Sequence, residues 1–297
     1  MIICIFVSKG WIDMKITSLF ENKKKTVFSF EVFPPKKDSP IESVYSKMEE
    51  LSALKPDFIS VTYGAGGTVG HSRTCEIAAK IKYDFGVESV AHLSCVNNTR
   101  SDIDKNLADL KENGIENILA LRGDYIDGVA PQTDFRYASD LCDYICAHKE
   151  YGDFFDLGGA CYPEVHGEAE DEVADILNLK KKVDSGATHL ISQLFFDNNA
   201  YYRFLERARI ALINVPIEAG IMPITNKSQI ARMVSMSGAS LPAKFSKILQ
   251  KYENKPEALR DAGIAYAIEQ IVDLIANGVD GIHLYTMNNP YVATKIT

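Results

Sequence analysis

No stretch of the 297 residues approaches the roughly 20 consecutive apolar residues that a membrane-spanning helix needs. No basic block is sustained either, and the net charge is −8, which argues against nucleic acid as a partner. The short patch Lys23-Lys24-Lys25 reads as a solvated helix end or loop. The six cysteines (Cys4, Cys75, Cys95, Cys142, Cys146, Cys161) form no Cys-x-x-Cys pair and have no His-x3-His partner. Several sit inside apolar runs, so they read as reduced core thiols in a cytoplasmic protein rather than as disulfides or metal ligands. Cys142 and Cys146 share a helix face, but two thiols alone do not make a zinc site. The opening "MIICIFV" is apolar but short, and no Lys or Arg precedes it, so it is a poor secretory signal. Met14 opens a more natural soluble start. Residues 1–25 are therefore set apart as a leader, of which 1–13 read as an over-extended start, and 26–297 as one domain.

The composition is that of a globular protein, 46% hydrophobic and 24% charged. No low-complexity linker divides it. Short β-rich runs alternate with amphipathic helical patterns. The runs are Val27–Phe33, Phe58–Tyr63, Ser89–Cys95, Asn117–Arg122, Asp156–Tyr162, His189–Phe195, Ile217–Met222 and Gly281–Met287. Three helical patterns close on a glycine, at Gly86, Gly114 and Gly186, as helix C-termini prefer. Strand–helix alternation repeated in this way predicts an α/β fold, a single-domain (β/α)8 TIM barrel. An open doubly wound sheet is the alternative. The lack of a G-x-G-x-x-G after the first strand counts against its dinucleotide-binding version. The long stretch between the last two strands predicts an extra helical segment there.

In such a barrel chemistry gathers at the C-terminal ends of the strands, and polar residues recur there. "TVFSFEVFPP" carries Glu31 in the middle of an otherwise apolar strand. Burying a carboxylate is costly unless it is paired. Alternation puts Ser29 and Glu31 on one face and Phe28, Phe30 and Val32 on the other. Glu31 reads as a general acid ahead of a salt bridge to Lys36 or Lys37, because acid catalysis needs a carboxyl held out of water. Asp124, at the end of "LRGD", is either a site residue or the partner of Arg122. His92 by itself fits a hydrogen-bonded core histidine. Gln193, alone in the apolar "ISQLFFD", needs polar partners that a heterocyclic ligand would supply. Lys180-Lys181-Lys182 follow Asp175 and Asn178 on one helix, as a solvated face or an anion contact. Tyr285 stands on the last strand. No metal motif is present.

"FSFEVFPPK", "FISVTYGAGG", "AHLSC", "ALRGD", "YASDL", "CYPEVHGEA", "DILNLKKKVDSGA", "ISQLFFD" and "GIMPITN" are collinear. Together they resemble the methylenetetrahydrofolate reductase family in its single-barrel bacterial form, from about Thr26 to Asn288. The resemblance implies a flavin-dependent barrel that reduces 5,10-methylenetetrahydrofolate to 5-methyltetrahydrofolate, with FAD first reduced by NADH. It implies Glu31 as the general acid that opens the folate ring to an iminium, and Asp124 as a negative charge beside flavin and folate. Gln193 and Gln229 match folate-contacting glutamines, and Thr62 a residue that touches the nicotinamide cofactor. The FAD contacts it implies are Tyr63, His92, Arg122, Gly123 and Asp124 on the early strands. Further along they are Ala138, Tyr162, His166, Asp175, Asn178, Lys181 and Lys182.

The chain also departs from the family. Met233 stands where well-known bacterial members carry a stacking aromatic, and Asn289 where they carry an arginine for the folate tail. The chain stops at Thr297, soon after the last strand, so either the closing helix is short or the sequence is clipped there. The resemblance implies a homo-oligomer without the C-terminal regulatory domain of the eukaryotic forms. Two alternatives stand beside it. Electrons could reach the flavin from a partner flavoprotein or iron–sulfur subunit, or the barrel could be a non-catalytic flavin-binding subunit. The joint presence of Glu31, Asp124 and Gln193 speaks against the last.

Overall fold

The computed structural model describes residues 14–21, 25–35, 39–63, 68–125, 132 and 134–297. Residues 1–13, Lys23, Lys24, Lys36, Lys37 and the glycines of "GAGG" lie outside the described residues. The strands are β1 (Val27–Val32), β2 (Phe58–Val61), β3 (Glu88–Ser94), β4 (Asn117–Leu121), β5 (Asp156–Cys161), β6 (His189–Ser192), β7 (Ile217–Ile221) and β8 (Gly281–Tyr285). Each pairs in parallel with the next, and β8 closes on β1, so the sheet is a barrel. The helices are α1 (Thr17–Glu21), α2 (Glu42–Ser52), α3 (Thr68–Tyr83), α4 (Arg100–Glu112), α5 (Ala138–Ala147), α6 (Glu172–Asp184), α7 (Asn198–Ile210), α8 (Lys227–Ser237), α9 (Ala243–Tyr252), α10 (Pro256–Ala276) and α11 (Pro290–Ile296). The expected (β/α)8 barrel is present.

Period-2 alternation sorts the strand residues as the sequence reading expected. Phe30, Val32, Ile59 and Val61 point outward, fully buried with Met48 and Leu51 of α2. The inward face is unusually polar: Ser29, Ser60, His92, His189, Glu218 and His283 are all buried. Gly86, Gly114 and Gly186 have φ of 73°, 64° and 114°, the left-handed conformation expected just past a helix.

Every one of the eight strands stops one to three residues short of the C-terminal end of its apolar run. The ladder ends where backbone groups find other partners. Gln193 N–H still donates to the Cys161 carbonyl (2.7 Å), but the next N–H, of Leu194, is taken by the Gln193 side chain itself (2.8 Å). After β8, Met287 and Asn288 both turn to φ 52°. Thr62, Tyr63, Arg122, Tyr162 and Gln193 therefore stand just beyond the ladder, on the barrel mouth.

The other end is closed from within the stretch set apart as a leader. Ile16 and Phe20 are buried against Val27, Phe58, Val90, Leu119 and Ile191. Ile16 N–H donates to Asn117 Oδ1 (3.0 Å), and Thr17 gives its backbone N–H (2.9 Å) and its hydroxyl (2.6 Å) to Asp156 Oδ2. Asn117 in turn donates to Glu88 (3.2 Å), which pairs with the buried Lys82 (3.3 Å). Residues 14–21 are thus a plug of the barrel floor.

The expected excursion between β7 and β8 consists of α8, α9 and α10. It carries its own small core, in which Phe196, Met222 and Ile224 meet Phe245. α10 comes so close that a Cβ on Gly263 would lie 1.7 Å from the Ile224 carbonyl oxygen, a contact only glycine permits. After β8 comes α11, which packs on α2 and α10. Asn289 caps it, accepting from Val292 N–H (3.3 Å). Among the described cysteines, Cys75, Cys95, Cys142 and Cys161 are buried free thiols and Cys146 is exposed.

Candidate active site

Glu31 enters the mouth from β1, between Ser60 of β2 and Tyr285 of β8. Its residue is 8% exposed. Oε2 lies 3.6 Å from His92 Nε2 and 3.9 Å from His283 Nε2, so one carboxyl sits between two imidazoles. Its backbone is fixed by Thr286, whose hydroxyl donates to the Glu31 carbonyl (2.7 Å). Burial pushes the His92 pKa down to about 4, with His283 adding and Glu31 opposing, so this imidazole is neutral near pH 7. Its Nε2 has no protein hydrogen-bond partner.

Beneath Glu31 lies a second carboxyl that the sequence reading passed over. Ser29 Oγ is 2.8 Å from Glu218 Oε1 and 2.7 Å from His283 Nδ1. Glu218 is fully buried, and burial drives its pKa up to about 8, with Asp57 and Asp280 adding and the Ser29 contact opposing. The signal was present: "PIEAGIM" sets a carboxylate inside an apolar strand just as "FSFEVF" does, and "GIHLYTM" sets a histidine likewise.

Around this centre the mouth collects most of the expected residues. The "LRGD" turn rests on Gly123, at φ 83°, where an added Cβ would lie 2.7 Å from Ser94 Cβ. Asp124 is exposed on the rim, its backbone carbonyl accepting from Asn97 (2.7 Å). The Arg122–Asp124 ion pair left open by the sequence is not what forms: Arg122 makes a two-pronged pair with Glu168, which follows β5. Asp124 and Arg122 are strand-face neighbours only on a continuing strand, and the chain turns at Gly123. Tyr63 hydroxyl is within 3.4 Å of Asn98 Nδ2. Tyr162 and His166 meet edge to face with centroids 4.6 Å apart, and His166 N–H donates to Asp175 (3.3 Å). Thr62 N–H extends the β1 pairing onto the Val32 carbonyl (3.0 Å).

Farther out, Ala138 begins α5, and Asn178 and Lys181 are exposed on α6. Lys180 pairs with Asp184. Lys182 does not join them. Its ammonium turns onto the Ala160 carbonyl, where burial lowers its pKa, through a space that exists because residue 159 is glycine: a Cβ there would be 2.8 Å from Lys182 Cδ. On α8, Gln229 Oε1 accepts from Thr225 N–H (3.1 Å), and Met233, one turn on, packs into the core of the excursion. Among the described residues no cluster of His, Cys, Asp and Glu is arranged to hold a metal, and no helix is long and apolar enough to cross a membrane.

A closed parallel barrel with a buried carboxyl and two imidazoles at its C-terminal mouth defines a (β/α)8 protein built for proton chemistry at that end. Over residues 15–297 the chain matches the methylenetetrahydrofolate reductase family, and it belongs to that family. It is 38% identical over 280 residues to the 5,10-methylenetetrahydrofolate reductase of Pectobacterium carotovorum subsp. carotovorum, covering 94% of this chain and 91% of that one. It is 37% identical over 287 residues to methylenetetrahydrofolate reductase (NADH) 1 of Arabidopsis thaliana, covering 92% of this chain and 48% of that one. The chain thus spans about half the length of the plant relative. Among solved structures, it is similar to an uncharacterised Clostridium thermocellum protein that binds two copies of 5-methyl-5,6,7,8-tetrahydrofolic acid (TM-score 0.64, 14% identity, 94% of this chain and 98% of that one). That likeness is one of fold.

Proposed function

We propose that this chain reduces 5,10-methylenetetrahydrofolate to 5-methyltetrahydrofolate, with NADH as reductant and FAD as carrier, as a cytoplasmic homo-oligomer. The observation that carries the reading is the Glu31 carboxyl, buried between His92 and His283 at the mouth of a barrel of this family. The mouth fits a flavin: His92 Nε2 and Ser60 Oγ are buried polar atoms without protein partners, and a ring edge rich in nitrogen and oxygen would satisfy such atoms. Tyr63, His92, Arg122, Gly123, Asp124, Tyr162 and His166 would hold the flavin end, and Ala138, Asp175, Asn178 and Lys181 the rest of the dinucleotide. Bound FAD would supply the hydride.

Glu31 donates a proton to N10 of the folate as the bond from the bridging methylene carbon to N10 breaks. The electron pair of that bond stays on N10, and the iminium left at N5 takes the hydride. Burial keeps water, which would otherwise add to the iminium, away from it. Neutral His92 stands 3.6 Å from the carboxyl without forming a competing ion pair. Asp124 places a negative charge at the rim, where it favours a cationic folate over a neutral one. Gln193 and Gln229 each have the side-chain carbonyl tied to nearby backbone, which leaves their amide N–H groups as donors toward the folate ring. Thr62 would meet the nicotinamide.

The test is anaerobic mixing of the purified yellow protein with NADH, followed by methylenetetrahydrofolate. The expected result is bleaching of the flavin by NADH and recolouring by the folate. No bleaching by NADH or NADPH, together with recolouring by the folate after chemical reduction of the flavin, would replace NADH by an electron-donor protein. Glu31→Gln is expected to keep FAD and its bleaching but to slow recolouring by about 10²-fold or more. Near-normal recolouring would remove Glu31 from the chemistry.

A further inference from the structure

The proposed chemistry uses Glu31 but not Glu218, although a fully buried carboxyl two strands away is costly to keep. Three contacts join them. Glu218 Oε1 is 2.8 Å from Ser29 Oγ, Ser29 Oγ is 2.7 Å from His283 Nδ1, and His283 Nε2 is 3.9 Å from Glu31 Oε2. The last gap is wider than a hydrogen bond, as such contacts often are before substrate binds. The site for Glu218 is shaped by its neighbour on β8: a Cβ on Gly281 would lie 2.6 Å from Glu218 Cγ and 2.9 Å from Oε1.

The Ser29 hydroxyl has one hydrogen and two close partners; its other contact, the Ile282 carbonyl, is at 3.5 Å. If the hydrogen points to His283 Nδ1, Glu218 must donate to Ser29, so Glu218 is protonated and His283 carries its proton on Nε2, facing Glu31. If it points to an ionised Glu218, His283 must donate from Nδ1, and a bare lone pair faces Glu31. We infer that Glu218 is a positioning residue which, through Ser29, decides which nitrogen of His283 bears the proton and so whether Glu31 is met by a donor or an acceptor. This rests on the reading of Glu31 as the acid.

With the N–H facing it, the oxygen of Glu31 that becomes negative on giving up its proton is stabilised, and proton delivery to the folate is favoured. With the lone pair facing it, the proton of Glu31 is drawn to His283 instead. The groups that surround Glu218 set where the change falls. Burial and the carboxylates of Asp57, just before β2, and Asp280, just before β8, place it at about pH 8, against the Ser29 contact. Tyr285 of β8 and Tyr201 of α7 also feel its charge, and His189 of β6 feels that of His283.

The experiment follows folate-driven reoxidation of the reduced holoenzyme from pH 6 to 10, with NADH-driven bleaching as the control. The rate is expected to fall above about pH 8, roughly tenfold per unit, and Glu218→Gln, which cannot ionise, is expected to abolish that fall. Ser29→Ala severs the same link and is expected to abolish it as well, should the first variant not fold. Independently, ¹⁵N spectra of histidine-labelled protein, with His283 assigned by the peak lost in His283→Gln, are expected to show its proton moving from Nε2 to Nδ1 across the same range. That movement is expected to be absent in Glu218→Gln. An unchanged alkaline fall and an unchanged histidine spectrum in the variants would overturn the relay alone. Normal turnover by Glu31→Gln would overturn the acid assignment and the relay with it.

Discussion

Glu218 and His92 depart from ordinary titration in opposite senses, and both departures bear on stability. Glu218 has its pKa raised to about 8 in the fold, so the unfolded chain loses that proton first as pH rises. Its contribution is intact below about pH 4.5 and is lost progressively up to about pH 8, a cost on the order of 5 kcal/mol. Glu218→Gln removes the titration, so its Tm is expected to exceed that of the parent increasingly from pH 5 to pH 8 and by a constant margin above, as calorimetry would show. A margin that does not grow with pH would contradict the buried neutral carboxyl. His92, with its pKa lowered to about 4, works the other way: its share of stability is present above about pH 6.5 and lost as pH falls toward 4. Glu31 was legible because a carboxylate interrupting an apolar strand is anomalous in itself. Glu218 is the same anomaly, but what makes it matter is a serine 189 residues away, and no local pattern reports that.

At the level of elements, the pairing of β7 with β8 depends on fitting a large polar side chain against glycine. Gly281 pairs with Glu218 in the ladder, and a methyl added there would press on Cγ at 2.6 Å. Gly281→Ala is expected to destabilise the protein by about 1–3 kcal/mol, and most of that cost is expected to vanish in a Glu218→Ala background. Denaturation of the two single variants and the double variant measures it, and simple additivity would show that the two residues do not share the space. The strands themselves were legible from alternation, and their starts agree closely with the apolar runs. Their ends were not, because a run such as "HLISQLFF" remains apolar after its ladder stops, and the stop is made by the Gln193 side chain. The same limit hid the true partner of Arg122. Sequence adjacency offered Asp124, whereas the chain turn brings in Glu168 from the next loop. Lys182 was grouped with its exposed neighbours because helical spacing cannot reveal the room left by a glycine on the adjoining strand.

For the whole molecule, the barrel is finished at one end by side chains that wait for ligands and at the other by a plug. Phe20 is 4% exposed and stacks on His189 with centroids 6.1 Å apart. Phe20→Ala is expected to cost about 3–5 kcal/mol of stability while leaving the mouth chemistry of the folded fraction in place. A loss of turnover without loss of stability would show that the floor and the mouth are coupled. A helix of five residues carries too little periodicity to be read from sequence, so the plug was invisible there. The closing of β8 on β1 has a further consequence for synthesis. Ser29–Val32 find their partner on one side as soon as β2 exists, but the partner of Val27–Glu31 on the other side, Gly281–Tyr285, leaves the ribosome only after all the remaining strands. A nascent chain therefore carries two unpaired parallel edges until nearly the whole polypeptide has been made. A ribosome that stalls before Gly281 presents an adhesive sheet, and chaperone demand should track translation speed through α9 and α10.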